Sequence, residues 1–426
     1  MTAAPPSRRS RRIRLRRLHL PAMLLVLGPG LVSGFADNDA AGITTYSLAG
    51  AQYGYGFMWA LLITMIALLF TQEVGARLGL ATGEGLSGVI RERFGVRWTA
   101  LAVFVTLVAN LGTTIAEFAG IAASLELLFR VPPQVSSILA GMFVVIVLAR
   151  GSFGKVQYAF LAIGGAVSAA YAISAILAGP DWGHAAVALV KPELSPTAAY
   201  LITLVGVVGT TITPWGQAFI QSYVADKGLG PRDLVGARVD VTLGSLVTNV
   251  VAGFIVVACA ATIWTHGGQI LDAADAARAL GPLAGSAATV LFSVGLLAAS
   301  LLGLGVVPLS SAYFACEAFG WERGLHWRWS QAPVFYGLLA FFVAGGALFV
   351  VIPGLPLIQV MFLSAVLDGL LLPIILSFVM LLAGDRKLLG ELASGRALLA
   401  IGWGITALVS IMSVAFVLAQ VFGLGS

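Results

Sequence analysis

Ser33-Gly34-Phe35-Ala36-Asp37-Asn38-Asp39-Ala40-Ala41-Gly42-Ile43-Thr44-Thr45 is the stretch on which the reading of this chain turns. Two carboxylates, an amide and two glycines sit here between charge-free runs at 18–36 and 40–72. The surroundings decide what that means. Of 426 residues, 59% are hydrophobic and only 10% charged, and mean hydropathy is +0.97. Soluble domains carry roughly 25% charged residues. That contrast excludes a soluble enzyme, a nucleic-acid-binding module and a disordered chain, and makes the bilayer the solvent. In lipid, a continuous helix cannot expose Asp37 and Asp39, so the backbone is expected to unwind there and turn carbonyls such as that of Ala36 toward an internal cavity. The competing reading ends the helix at Gly34 and leaves the aspartates in outer water. Only about 14 residues would then precede the break, too few to span.

Outward from this stretch, the apolar runs predict an all-α polytopic membrane protein of eleven helices. They fall at about 20–50, 56–78, 98–129, 134–150, 155–178, 196–224, 241–265, 285–316, 332–352, 356–383 and 396–423, each near the 20 or so residues a span requires. A basic arm over 1–18 precedes the transmembrane domain at 19–426. With the N-terminus cytoplasmic, 21 of the 24 basic residues fall on the inner side, and Arg130, Lys191 and Arg278 lie outside. That asymmetry supports both the count and the orientation in a cell membrane. It also absorbs the net charge of +5, leaving no reason to invoke nucleic acid. A cleaved signal over the first 36 residues would delete half of the first span and scramble this pattern. Residues 84–98 carry Leu86, Val89, Ile90 and Phe94 at helical spacing among charges, the mark of an amphipathic helix on the inner face. Cys259 and Cys316 read as two buried apolar residues rather than a bridge or metal pair.

A second interruption occurs in the sixth span, at Gly209-Thr210-Thr211-Ile212-Thr213-Pro214-Trp215. Pro214 removes a backbone donor and frees carbonyls near Thr210, and the threonine hydroxyls add oxygen ligands. The first helices of two five-helix halves (about 19–180 and 194–384) are thus both broken. Paired breaks of this kind indicate an inverted-repeat transporter with its site at the midplane. Two more acids lie at membrane depth: Glu117, read equally as an ion or proton relay and as support for a broken helix, and Asp368, read as facing the cavity. Asn110 and Asn249 are expected to bond between helices. No nucleophile–base pair, hydrolase spacing or nucleotide loop is present, so an enzyme is not expected.

At these breaks the sequence resembles the Nramp family of divalent-metal transporters. The likeness runs from Gly28-Pro29 to Gly54-Tyr55 and includes Thr71-Gln72-Glu73, Leu78-Gly79-Leu80-Ala81-Thr82-Gly83, Ile90-Arg91-Glu92-Arg93 and Ala116-Glu117-Phe118-Ala119-Gly120. The resemblance implies a LeuT-like 5+5 inverted repeat with broken helices 1 and 6, plus an extra helix near 396–423. The family's Asp-Pro-Gly-Asn motif falls on Asp39-Ala40-Ala41-Gly42, which keeps the aspartate and loses the asparagine. Its Met-Pro-His motif falls on Thr213-Pro214-Trp215, which replaces a thioether by a hydroxyl and the proton-linked histidine by tryptophan. An acid expected one turn before Glu117 is Thr114, the arginines expected in the ninth span are missing, and Asp37 is an additional acid. Oxygen in place of sulfur suits Mg²⁺ over transition metals, so the chain is most similar to the Nramp-related magnesium-transporter branch.

The expectation is therefore a secondary transporter of a divalent ion, Mg²⁺ with Mn²⁺ as a second cargo, working by alternating access and without proton coupling. Asp39, Asp37 and Asp368, the Ala36 and Thr210 carbonyls and the Thr213 hydroxyl would form the ion site, with Glu117, Gly42, Pro214 and Trp215 in support. No cofactor is expected, and the partners are the ion and the lipid bilayer. The alternatives are a proton-coupled Mn²⁺/Fe²⁺ importer and an organic-solute or amino-acid symporter of the same fold.

Overall fold

The computed structural model describes residues 28–149, 153–195, 197–325 and 327–422. The basic arm at 1–18, the start of the first span, Arg150 and the last residue assigned to the eleventh helix lie outside the described residues. Among the described residues the regular structure is all helical, and each of the eleven expected segments coincides with a helix. The first is split into α1 (Pro29–Ala36) and α2 (Ala40–Tyr53). Then follow α3 (Met58–Thr82), α4 (Leu86–Phe94), α5 (Val96–Phe129), α6 (Pro133–Ala149), α7 (Phe153–Leu177) and α8 (Trp182–Val190). The sixth segment is split into α9 (Ala198–Thr211) and α10 (Pro214–Asp226), and α11 (Leu234–Thr262), α12 (Ala288–Phe319), α13 (Pro333–Val350), α14 (Leu357–Ala383) and α15 (Arg396–Phe422) complete the chain.

Eight of these units are long and apolar enough to cross a membrane, and nine if α7 and α8 count as one bent span. The other two expected segments are the broken first helix and α6, an apolar helix of 17 residues. The sequence reading missed α8, treating 179–195 as a connection. The chain turns by 116° after α7, and Asp181 starts α8 by accepting from the His184 N–H at 2.9 Å. Short helical turns fill 264–287, most of which (266–284) was expected to be a connection. The amphipathic α4 buries Leu86, Val89 and Ile90 and exposes Arg91 and Arg93, as its spacing predicts. Asn110 donates to Ser311 (2.8 Å) and Thr64 to Asn249 (3.3 Å), both between helices. Both cysteines are buried and free.

Two packing features position the breaks. Helix α5 lies centrally against α12 and α14, so Glu117 and Thr113 face the interior. The short α1 is fastened along α11 by Gly30, Gly34 and Gly244, because a Cβ on any of them would run into the facing backbone. Asp240 completes the attachment, accepting from the N–H groups of Gly28 (2.9 Å) and Gly30 (2.6 Å). The first four N–H groups of a helix lack intrahelical partners, and a carboxylate there answers both the orphan donors and the helix dipole. At the other end of α1, Thr248 donates to the Gly34 carbonyl at 2.7 Å.

Candidate metal centre

The two breaks are built alike. Asp39 has extended backbone and its Oδ1 accepts from the Gly42 N–H at 2.8 Å, which starts α2. Thr213 has extended backbone and its Oγ1 accepts from the Gly216 N–H at 3.1 Å, which starts α10 with Pro214 in the first turn. Each second half-helix therefore begins with an oxygen-bearing cap and a glycine three residues later. The side chains at these caps satisfy N–H groups that would otherwise be orphaned. Tyr46 and Thr211, 2.9 Å apart, tie α2 to the end of α9.

The two glycines let oxygen atoms of the breaks approach closer than a side chain would allow. A Cβ on Gly42 would lie 2.8 Å from the Asp37 carbonyl, 3.3 Å from Thr210 Oγ1 and 3.5 Å from Asp39 Oδ1. A Cβ on Gly216 would lie 2.8 Å from Thr213 Oγ1, 3.5 Å from Gln72 Nε2 and 3.6 Å from Asp37 Oδ1. The structure thus brings Asp37, Asp39, Thr210 and Thr213 together around Gly42 and Gly216. The carbonyl turned toward Gly42 is that of Asp37, whereas Ala36 is the last residue of α1. Trp215 is wholly buried, packs against Phe219, and accepts a hydrogen bond from Ser310 through its carbonyl at 3.2 Å.

Glu117 and Asp368 approach from α5 and α14. Glu117 packs against Gly303 of α12, where a Cβ would collide with its carboxylate. Asp368 Oδ2 accepts from the Thr113 hydroxyl at 2.9 Å. Asp37, Asp39, Glu117 and Asp368 are each at most 1% exposed, and none of them enters an ion pair among the described residues. Four acids buried without a basic partner are costly unless protons or a cation balance them.

Unpartnered polar atoms concentrate here too. Asp37 Oδ2, Asn38 Oδ1, Thr210 Oγ1, both Glu117 oxygens, Asp368 Oδ1, Gln72 Oε1 and both amide atoms of Gln217 are buried without a hydrogen-bond partner. Each such group costs about 1–3 kcal/mol, so their clustering at the breaks indicates a place made for an ion or water. Among the described residues no three His, Cys, Asp or Glu side chains gather closely enough to cage a metal. Any cation held here must draw on carbonyls, hydroxyls, amides and water as well as carboxylates. Sulfur enters nearby through Met361, whose thioether accepts from the Thr44 hydroxyl at 3.5 Å. The sequence reading gave no role to Gln72, Gln217 or Thr113. The two glutamines were legible as amides inside apolar helices, which need an internal partner.

The Nramp family, described as "Natural resistance-associated macrophage protein-like", matches residues 30–419. The divalent metal cation transporter MntH of Acidiphilium cryptum is 31% identical over 288 residues, spanning 65% of this chain and 66% of that one. The MntH of Deinococcus radiodurans is 29% identical over 402 residues, 91% of this chain and 88% of the relative. Among solved structures, the Eremococcus coleocola manganese transporter superposes with a TM-score of 0.76 at 18% identity, covering 96% of this chain and 90% of its own. With a match across nearly its whole length on top of paired helix breaks lined by buried acids, this chain belongs to the Nramp family, whose members are multi-pass membrane transporters and not enzymes.

Proposed function

We propose that this protein carries divalent metal ions across the cell membrane by alternating access, binding them between the two broken helices. The observation that carries the proposal is the group of buried oxygens around Gly42: Asp39 Oδ1, the Asp37 carbonyl and Thr210 Oγ1, the last without a partner. Asp39 is the principal carboxylate. Asp37 and Asp368 add charge, directly or through retained water, and Thr213 contributes its hydroxyl. The Ala36 and Thr210 carbonyls, at the ends of α1 and α9, complete the ligand set. Gly42 and Pro214 keep the breaks open, and Trp215 closes the inner side of the site.

The preferred cargo in this reading is Mg²⁺, with Mn²⁺ also admitted. Hard cations select oxygen, and Mg²⁺ sheds its waters reluctantly, which fits a site where carboxylates do not form a tight cage. Four buried acids without basic partners attract a dication and repel an organic carboxylate, which disfavours an amino-acid substrate. The inner-negative membrane potential supplies about 2.3 kcal/mol per charge per 100 mV, enough to drive entry without a proton. The N-terminus lies in the cytoplasm and the C-terminus outside, the five-helix repeats occupy about 19–180 and 194–384, and the extra helix occupies about 396–423.

A second reading is a proton-coupled Mn²⁺ or Fe²⁺ importer. Glu117 favours it, a wholly buried acid in α5 with both oxygens unpartnered, and so do the relatives, which are divalent metal cation and manganese transporters by name. Tracer uptake of Mg²⁺, Mn²⁺ and Ca²⁺ into proteoliposomes, with and without a pH gradient, separates the two. Mg²⁺ uptake that a pH gradient leaves unchanged supports the first. Uptake confined to Mn²⁺ and accelerated by an inward proton gradient supports the second.

A further inference from the structure

We propose, on the transport function given above, that Tyr46 is a positioning residue whose hydroxyl sets the register between the half-helix begun by Asp39 and the half-helix ended by Thr210 and Thr211. Asp39, Gly42 and Tyr46 are spaced by three and then four residues, so they fall on one face of α2. That helix runs antiparallel to α9. At the breaks, a Cβ on Gly42 would lie 3.3 Å from Thr210 Oγ1. Midway, a Cβ on Gly206 would lie 3.4 Å from the Thr45 methyl. At the far end the rings of Tyr53 and Tyr200 meet edge-on, 5.5 Å apart.

Side chains on a helix lean toward its N-terminus, and the N-terminus of α2 is the break. Tyr46 therefore reaches back along its own helix, and its hydroxyl lies 2.9 Å from Thr211 Oγ1. The direction of this bond follows from its neighbour. A threonine hydroxyl has one proton to give, and that of Thr211 goes to the Val207 carbonyl at 2.6 Å. Tyr46 is thus the donor and Thr211 the acceptor. Both residues are wholly buried, where a hydrogen bond meets little competition from solvent. Thr211 directly follows Thr210, whose carbonyl and hydroxyl stand opposite Asp39 across Gly42. Holding Thr211 in place fixes the spacing of these groups, so Tyr46 acts on the ion through Thr211 and not as a ligand. The far end of α9 is tied in a different way, with Trp59 Nε1 donating to the Tyr200 hydroxyl at 3.3 Å. That bond lies about 15 Å along α9 from Thr210 and leaves the ligand spacing untouched.

Equilibrium binding of Mg²⁺ and Mn²⁺ to the purified full chain is measured for wild type, Tyr46→Phe, Thr211→Val, the double variant, Thr211→Ser and Tyr200→Phe, with a melting temperature for each. Tyr46→Phe and Thr211→Val are each expected to raise Kd about fivefold. The double variant should raise it no further, because both substitutions break the same bond. Thr211→Ser keeps the acceptor, and Tyr200→Phe removes the same hydroxyl at the far end of α9, so both should stay within about twofold of wild type. The proposal is overturned if Tyr46→Phe binds with the wild-type Kd, whatever its melting temperature, or if Tyr200→Phe raises Kd as much as Tyr46→Phe does. It is also overturned if the double variant multiplies the two effects to about twenty-fivefold. Tyr46→Phe against Tyr200→Phe decides alone if the Thr211 variants are not recovered folded. Wild-type protein that binds neither ion would refute the transport function itself. Wild-type binding together with any of the overturning patterns would refute the role of Tyr46 alone.

Discussion

The Thr113 hydroxyl donates to Asp368 Oδ2 at 2.9 Å, joining α5 to α14 beside the broken helices, while Asp368 Oδ1 has no partner. A carboxylate fixed by one oxygen and open at the other is poised to share its charge with an ion or its water. Asp368→Asn removes that charge and is expected to raise the KM for Mg²⁺ uptake about tenfold. Thr113→Val leaves the charge and should raise it by only about threefold. Equal effects of the two substitutions would reduce Asp368 to a structural partner of Thr113.

Thr213 holds two contacts that its replacement would alter separately from the metal. Its Oγ1 caps α10 through Gly216 and lies 3.5 Å from Asp37 Oδ1. Losing such a cap costs about 1 kcal/mol, so Thr213→Val serves as the control for Thr213→Met. Against that control, the thioether is expected to raise the Mn²⁺-to-Mg²⁺ uptake ratio about fivefold or more. An unchanged ratio would count against oxygen selection at this position.

The attachment of α1 to α11 makes Asp240 a stability determinant distant from the ion. Asp240→Ala leaves the Gly28 and Gly30 N–H groups without their acceptor, at about 1.5–3 kcal/mol for each charge-assisted bond, and should lower the melting temperature by several degrees. Lys227 gives the effect a pH signature. Burial lowers its pKa, and the charge of Asp240 holds it up. A base whose folded pKa lies below its unfolded value destabilises the fold while protonated, and the penalty fades as pH rises through the folded pKa. Without Asp240 that pKa falls further, so the deficit of Asp240→Asn should be larger at pH 7 than at pH 10. A deficit independent of pH would separate Lys227 from this corner.

Close helix approach is testable at one glycine against another. Gly244→Ala would press a methyl into the Gly30 carbonyl, and overpacking of this kind costs about 1–3 kcal/mol. Gly404 in α15 has open space at the same point, so Gly404→Ala should be neutral or stabilising. Similar thermal shifts for both would mean that α1 can move away from α11 at little cost.

Much of this architecture was readable residue by residue. Apolar runs marked the eleven segments, and Asp37 to Gly42 and Thr213-Pro214 located both breaks within a residue or two. Spacing alone placed α4 on its apolar face. Pairings across long separations were not readable, because no local pattern encodes them: Thr113 and Asp368 are 255 residues apart, and Gly28 and Asp240 are 212. That the Asp37 carbonyl lies against Gly42 depends on where α1 ends, and helix boundaries are the least legible feature of a sequence. Helix α8 escaped notice because nine mostly apolar residues after a turn look the same as a connection until the chain is seen to fold back.

Uptake of Mg²⁺ and Mn²⁺ by proteoliposomes containing wild type or Asp39→Ala bears most directly on where the ion is held. Asp39 both caps α2 and lies beside the Asp37 carbonyl and Thr210 at Gly42, so Asp39→Asn, which keeps an oxygen for the cap, is measured beside it. Loss of about nine-tenths or more of the uptake in both variants, with folded protein recovered in each, is the expected result. Wild-type flux in Asp39→Ala would contradict an ion site between the broken helices.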